Sequence, residues 1–191
     1  ALVTDREINL KGNTINIASG STTINVDRNT DFGNQDINTG SITKTFTIEN
    51  TGGLPLNISS VNSNSSDFIV SFPTTTIAAG GTATLSVTFN PTIAGTRNGI
   101  ITINNNDSNE ATYTFAVRGI GTEQEINLQG GAGPSNIANG STNISTTLGT
   151  NFGNTPGTRT YIIQNTGTSN LVIYSVNSSL SDFTASFSKV I

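Results

Sequence analysis

The sequence predicts an all-β protein in which antiparallel β-sandwiches follow one another in tandem, the second of them incomplete. Three observations lead to this prediction: apolar residues alternate with polar ones in short runs, turn signals separate these runs, and the motifs of the first part of the chain recur in the second. The 22 Ile against 9 Leu add an excess of β-branched residues, which favours strands. No window carries a sustained helical stripe of apolar residues.

The alternating runs give the strands in chain order. Residues 42–49 place Ile42, Phe46 and Ile48 on one face and mostly Thr on the other. The other predicted inward residues are Leu54, Leu56 and Ile58; Phe68, Val70 and Phe72; Ala83, Leu85, Val87 and Phe89; Ile101 and Ile103; and Tyr113, Phe115 and Val117. Because turns rich in Asn, Gly and Ser separate the runs about every 8–12 residues, two sheets that bury these faces against each other are expected.

The chain repeats its own motifs in the same order. Glu7-Ile8-Asn9-Leu10 recurs as Glu125-Ile126-Asn127-Leu128, Phe32-Gly33-Asn34 as Phe152-Gly153-Asn154, and Asn50-Thr51-Gly52 as Asn165-Thr166-Gly167. We therefore predict two domains, residues 1–121 and residues 122–191. The second copy lacks a counterpart of residues 77–121, which supply about three strands. We expect the natural chain to continue with them, and the alternative is that another chain supplies them.

The composition excludes several classes of protein. Without Cys and His there is no Ser-His-Asp or Cys-His catalysis, no disulfide, and no usual ligand set for zinc, haem or an iron–sulfur cluster. The net charge is −4 and the 8 basic residues are scattered, which argues against a nucleic-acid partner. No apolar run is long enough to insert into a membrane. We predict a protein that is not an enzyme and has no cofactor.

Oxygen-rich turns are the candidates for a metal site. Asp27, Asn29 and Asp31 alternate as Ca²⁺ ligands do, and residues 104–110 form a second oxygen-rich hairpin. Neither has the Gly and Glu spacing of an EF-hand loop. We therefore predict solvated turns and no metal site, with Ca²⁺ at Asp27, Asn29 and Asp31 as the alternative.

Other features of the sequence admit a functional and a structural interpretation. Asp31, Glu49 and Asp67 are the acids at turn positions where a glycosidase pair would have to lie. Lys11 or Lys44 would supply an intramolecular isopeptide bond. The Thr-rich outer faces would form an array for ice or glycans. In each case we favour the structural interpretation, since turns, packed lysine stems and solvated sheets use the same residues.

Motifs spread through the first copy resemble those of a known bacterial family. In chain order they include Asp31-Phe32-Gly33, Ile48-Glu49-Asn50-Thr51-Gly52, Ser66-Asp67-Phe68, Phe89-Asn90-Pro91 and Val117-Arg118-Gly119-Ile120-Gly121. Together they resemble the choice-of-anchor D Ig-like repeat, which is related to the Hydin, abnormal-spindle and major-sperm-protein sandwiches. The resemblance covers residues 7–121 and the first portion of the second copy.

The resemblance implies tandem Ig-like sandwiches in secreted or cell-surface proteins of the Bacteroidetes type, with no catalytic residues. We therefore expect a non-catalytic structural repeat, a spacer or stalk of an extracellular protein such as an adhesin. Its expected partners are neighbouring Ig-like repeats of the same chain. The alternatives are a module that binds a surface glycan or protein, and an accessory domain of a secreted enzyme.

Overall fold

A computed structural model describes residues 5–133, 135–154 and 156–187, and every regular element in them is a β-strand. This confirms the predicted all-β class. The chain divides into two compact units, of which unit 1 ends at Thr122 and unit 2 begins at Glu123. Among the described residues, no helix is long and apolar enough to cross a membrane.

Unit 1 is a two-layer sandwich. Its strands are β1 (Ile8–Gly12), β2 (Ile15–Asn16), β3 (Asp31–Asp36), β4 (Ile42–Asn50), β5 (Leu56–Ser63), β6 (Phe68–Ser71), β7 (Thr76–Ile77), β8 (Thr82–Phe89), β9 (Gly95–Asn105) and β10 (Thr112–Thr122). One sheet has the order β2-β1-β4-β8-β6 and the other has the order β3-β10-β9-β5-β7. The pairs are antiparallel except for β3, which runs parallel to β10 at the edge of the second sheet.

The core of unit 1 lies between the two sheets and consists of the alternating residues of their inner faces. Phe46, Ile48, Leu85 and Phe115 are at most 1 % exposed, as the sequence pattern predicts. Three rings form one aromatic cluster, in which the Phe32 and Phe68 centroids lie 5.4 Å apart and the Phe68 and Phe89 centroids lie 4.9 Å apart. Such offset and edge-to-face contacts add to the area that the rings bury.

The predicted inward position of Leu54 is wrong, and Asn50 explains why. The buried Asn50 side chain donates from Nδ2 to the carbonyls of Leu54 (2.8 Å) and Ile77 (3.0 Å) and accepts from the Gly52 N–H (3.1 Å). These bonds hold Leu54 in the turn, where it is 37 % exposed, and β5 begins only at Leu56. A local side-chain cap therefore prevails over the apolar alternation here.

Unit 2 contains one sheet of three antiparallel strands, β11 (Ile126–Gly130), β12 (Ser135–Ile137) and β13 (Tyr161–Asn165), in the order β12-β11-β13. Its register repeats that of unit 1, since Leu128 faces Ile163 as Leu10 faces Ile48. The turn is repeated as well, with Asn165 Nδ2 donating to the Ser169 carbonyl at 2.8 Å. The described residues of unit 2 thus form three strands of one sheet, where unit 1 has two sheets of five, and the second sandwich is incomplete.

Candidate functional site

Three carboxylates meet where the start of β1 approaches the hairpin between β9 and β10. One oxygen each from Glu7, Asp107 and Glu110 lies within 4.8 Å of the others. Asp107 is fully buried, and its Oδ2 accepts from the Ile8 N–H (3.0 Å) while its Oδ1 accepts from the Asn109 N–H (3.2 Å). Both Asp107 oxygens therefore accept hydrogen bonds from backbone N–H groups, and this residue links β1 of one sheet to a hairpin of the other.

Burial and charge at this cluster affect the protonation of two groups. Burial raises the pKa of Glu110, and the negative charges of Glu7 and Asp107 raise it further. Burial, together with the charge of Glu110, raises the pKa of Tyr113 to about 12. Tyr113 therefore stays protonated at neutral pH and donates its hydroxyl to the Ile17 carbonyl. Carboxylate oxygens of this kind suit a hard cation such as Ca²⁺, but the hydrogen bonds describe a structural clamp.

The sequence pointed to part of this cluster and missed the rest. Asp107 and Glu110 belong to the predicted oxygen-rich hairpin, residues 104–110. Glu7 was not predicted, because it lies about a hundred residues away in the chain and only the packing of the two sheets brings it there. The one feature of the sequence that could have indicated Glu7 is its position next to Ile8, the first inward residue of β1.

Asp27, Asn29 and Asp31, the residues considered as an alternative Ca²⁺ site, make separate contacts. Asp31 Oδ2 pairs with Arg118 at 2.6 Å and Asp31 Oδ1 accepts from the Gly33 N–H at 3.0 Å. Asn29 donates its amide to the Thr45 carbonyl at 3.1 Å, and Asp27 is exposed on the preceding turn. Burial by itself would raise the pKa of Asp31, but the Gly33 hydrogen bond and Arg118 outweigh it and hold the pKa below its usual value.

The three acids considered for glycoside hydrolysis each take part in a different ion pair. Asp31 pairs with Arg118, and Asp67, which is buried, pairs with Arg97 at 2.7 Å. Glu49 pairs with Lys11 at 2.8 Å. Two carboxyl groups that face each other across a cleft are required for that chemistry. These three acids are instead distributed over separate structural contacts.

The lysines considered for an isopeptide bond are also in structural contacts. Glu49 accepts from Lys11 Nζ (2.8 Å) and from Asn9 Nδ2 (2.7 Å), which brings a lysine, an asparagine and an acid together on the outer face of β1 and β4. Hydrogen bonds from Lys11 and Asn9 lower the pKa of Glu49, so this carboxylate stays ionised at neutral pH and holds the lysine in a structural ion pair. Lys44 Nζ donates to the Asp31 carbonyl at 2.7 Å.

The Thr-rich outer face of β4 and β8 is ordered by contacts between the strands. Thr43 faces Thr88, and their hydroxyl oxygens lie 2.8 Å apart. Further along the same outer face, Thr47 faces Thr84. Cross-strand pairs of this kind stabilise a sheet. A solvated outer face accounts for them.

An open groove of about 860 Å³ runs beside β1 and the segment that follows β2. Its lining is mixed. The amides of Asn9 and Asn16, the hydroxyls of Ser19 and Thr22, the guanidinium group of Arg28 and the ring of Tyr113 all contribute to it. Glu7 and Glu110 of the acidic cluster also line it. Tyr113 is buried, so the surface that the groove offers to a ligand is mainly polar.

The architecture of unit 1 is that of an Ig-like sandwich, since two sheets that are antiparallel except for β3 pack face to face. A model of the HYDIN/CFA65/VesB-like Ig-like domain family matches residues 22–119. The chain belongs to this family. A comparison with curated proteins found no significant match.

Several solved structures match part of the chain at low sequence identity. A protein of unknown function from Porphyromonas gingivalis W83 is 18 % identical with a TM-score of 0.48, over 63 % of this chain and 49 % of that one. The Vibrio cholerae VesB protease is 12 % identical with a TM-score of 0.39, over 61 % and 31 %. The N-terminal domain of PorA is 13 % identical with a TM-score of 0.38, over 60 % and 96 %. The chain thus spans about half the length of the Porphyromonas protein and less than a third of VesB.

Proposed function

We propose that the chain is a non-catalytic structural repeat, a spacer within an extracellular or cell-surface bacterial protein of the choice-of-anchor D type. The observation that carries this proposal is how unit 1 uses its charged groups. The ion pairs Asp31–Arg118, Asp67–Arg97 and Lys11–Glu49 join strands and turns of the sandwich. Acids and bases held in such pairs stabilise the fold and do not serve as reactive groups.

The proposed location outside the cell is supported by composition. The chain has no Cys and no Met, the two residues that oxidants modify most readily. Its proposed partners are neighbouring Ig-like repeats of the same chain, and an adhesin is the proposed kind of parent protein. Together these features suit a part that is exposed to oxidants for a long time and must only stay folded.

Force spectroscopy on single molecules tests the spacer role directly. A spacer has to hold its fold under tension, so unit 1 should unfold in one discrete event. Each released residue extends the chain by at most about 3.6 Å, so unfolding of residues 8–122 should add on the order of 400 Å. Gradual extension without a force peak would contradict the proposal.

The groove beside β1 favours a second candidate function, a module that binds a surface glycan or protein. A third, an accessory domain of a secreted enzyme, has its support in the family, whose description includes VesB. Any protease activity would then belong to another part of the parent protein, since residues 5–133, 135–154 and 156–187 bring together no group of catalytic side chains.

A glycan array separates the spacer from the binding module. Asn16 lines the groove, whereas Asn62 lies on β5 and does not, so Asn16→Ala and Asn62→Ala form a matched pair. If the chain is only a spacer, neither the wild-type protein nor either variant should bind any glycan saturably. Saturable binding that Asn16→Ala abolishes and Asn62→Ala retains would establish the binding module instead.

A further inference from the structure

The chain enters and leaves unit 1 at opposite ends of the sandwich. Asp107 lies in the hairpin before β10, and its Oδ2 accepts from the Ile8 N–H at 3.0 Å, so β1 begins at the end where β10 begins. β10 then extends over 11 residues to Thr122, the last residue of unit 1. At about 3.3 Å per residue the two ends lie roughly 35 Å apart. Tension between these ends therefore acts along the strands.

A ladder of backbone hydrogen bonds joins the incoming chain to β10. Residues 20–37 follow β1 and β2 and run parallel to β10, first through a bridge between Ser21 and Phe115 and then through β3. We call residues 20–21 and 30–37, together with residues 114–122, the parallel ladder. Its bonds outside the regular strand pairing are Gly20 N–H to the Thr114 carbonyl (2.8 Å), Ala116 N–H to Ser21 (2.9 Å), Arg118 N–H to Thr30 (2.9 Å) and Ile37 N–H to Thr122 (2.9 Å).

The direction of the ladder decides how it carries tension. A pull on the incoming chain draws residues 20–37 toward the end where β10 begins, and a pull on Thr122 draws β10 the opposite way. Because the two segments are parallel, they are displaced along their length, and all their hydrogen bonds are loaded together. Two strands that are pulled apart at neighbouring ends open instead by one bond at a time. The same bonds therefore resist more force in the first arrangement.

Side chains strengthen the ladder where its two parts meet. Thr30 is buried, and its Oγ1 accepts from the Asn25 N–H (2.9 Å) and donates to the Thr23 carbonyl (3.1 Å). These bonds close the loop between the two parts of the ladder, which would otherwise be slack. Arg118 Nη2 pairs with Asp31 Oδ2 at 2.6 Å and so bridges β10 and β3.

Unit 2 contains the same loop closure. Thr150, the equivalent of Thr30, accepts from the Ser145 N–H (2.8 Å) and donates to the Asn143 carbonyl (2.8 Å) through its Oγ1. The closed loop is thus a feature of the repeat, and it occurs in both copies.

We propose that the parallel ladder is the mechanical clamp of unit 1, so that unit 1 unfolds under tension only when this ladder breaks. The proposal rests on the spacer function proposed above and specifies which contacts perform it. The ion pair Asp31–Arg118 lies within the ladder, whereas Asp67–Arg97 lies outside it, between β9 and the turn before β6. The two pairs should therefore differ in their effect on forced unfolding.

The point of attachment tests the proposal without altering the ladder. Because the chain has no Cys, one handle is placed at Glu123→Cys and the other at either the N-terminus or Asn38→Cys, in the exposed turn after β3. Tension from the N-terminus loads the ladder along its length. Tension from Asn38 opens it from the bond between Ile37 and Thr122, so unit 1 should give way at an at least about twofold lower force.

A matched pair of variants tests the contacts themselves. With handles at the N-terminus and Glu123→Cys, Arg118→Ala should raise the rate of forced unfolding by roughly two- to fivefold, as expected for a partly exposed ion pair that breaks at the barrier. Arg97→Ala should leave this rate unchanged, although it should lower Tm at least as much because its partner Asp67 is buried.

Equal rupture forces from the two attachment points would overturn the proposal, and so would an Arg97→Ala variant that speeds forced unfolding as much as Arg118→Ala does. Either result leaves the spacer function standing as long as unit 1 unfolds in one discrete event. Gradual extension without a force peak from the N-terminus would contradict both proposals. The comparison of attachment points keeps the native contacts of the ladder, so it decides the matter even if Arg118→Ala does not fold.

Discussion

Phe68 and Phe183 occupy equivalent positions of the two repeats, which makes them a matched pair for measuring what burial contributes to stability. Phe68 is 2 % exposed and contacts the rings of both Phe32 and Phe89, whereas Phe183 is 44 % exposed and, among the described residues, contacts only the ring of Phe152. The change of Phe to Ala removes the same atoms from both. Only the surroundings differ.

The expected losses differ by several-fold. Truncation of a fully buried Phe costs about 3–5 kcal/mol, of which about 1.5–3 kcal/mol is the transfer of the side chain and the remainder the cavity left behind. Phe68→Ala should lower the free energy of unfolding of unit 1 by this amount. At Phe183 roughly two-fifths of the transfer contribution is absent and no closed cavity forms, so Phe183→Ala should cost unit 2 about 1–1.5 kcal/mol.

The assay has to report on each unit separately. Hydrogen exchange measured by mass spectrometry over a urea series does this, with peptides from β8 for unit 1 and from β11 for unit 2. Circular dichroism of both variants at zero urea checks that the strands are formed. Equal losses for the two substitutions, or a larger loss for Phe183→Ala, would refute the reasoning that the core of unit 1 is closed and that of unit 2 is open.

Three further predictions concern protonation and close packing in unit 1. The pKa of Glu110 in the folded protein is raised, so the stability that this residue contributes is complete below the ordinary value of 4.5 and is lost as pH rises through the raised pKa. Glu110→Gln should therefore raise Tm at pH 7 and change it little well below pH 4.5. The pKa of Glu49 is lowered, so its contribution is present above 4.5 and is lost as pH falls through the lowered pKa. Glu49→Gln should therefore lower stability at pH 7 by about 0.2–1 kcal/mol, and a calorimetric series in which both variants shift Tm in the same direction at pH 7 would contradict this. A Cβ at Gly119 would lie 2.4 Å from the buried ring of Phe89, so Gly119→Ala should cost about 1–3 kcal/mol in urea unfolding. An unchanged urea midpoint for unit 1 in Gly119→Ala would show that the Phe89 ring yields to the added methyl group without cost.

The sequence was sufficient for the class of fold and for most inward positions of unit 1. Alternation at Phe46 and Ile48 on β4 identified the buried face because a strand directs successive side chains to opposite sides of its sheet. Local chemistry identified the turns as well, since the Asn50 side chain caps the turn in which Gly52 lies. These features depend on neighbours in the chain and can be read without the partner strands.

The candidate site was only partly predictable. The hairpin that carries Asp107 and Glu110 is visible as an oxygen-rich segment, but its interaction with Glu7 depends on the packing of one sheet against the other. The same applies to Asp31, which alternates like a metal ligand in the sequence and pairs with Arg118 of β10 in the structure. The sequence shows which side chains can donate or accept hydrogen bonds, but the contacts between distant parts of the chain determine which of them pair.

Unit 2 separates what the sequence determines from what tertiary structure decides. The sequence fixes the alternation, the turns and the register that β11 and β13 share with β1 and β4. It does not make a strand of residues 171–178, although their unit 1 equivalents form β5, because β5 is hydrogen-bonded to β9 and these residues have no such neighbour among the described residues. A sheet forms when the backbone N–H and C=O groups of one strand pair with those of a neighbouring strand, so an alternating pattern becomes a strand of a sheet only where such a partner is present.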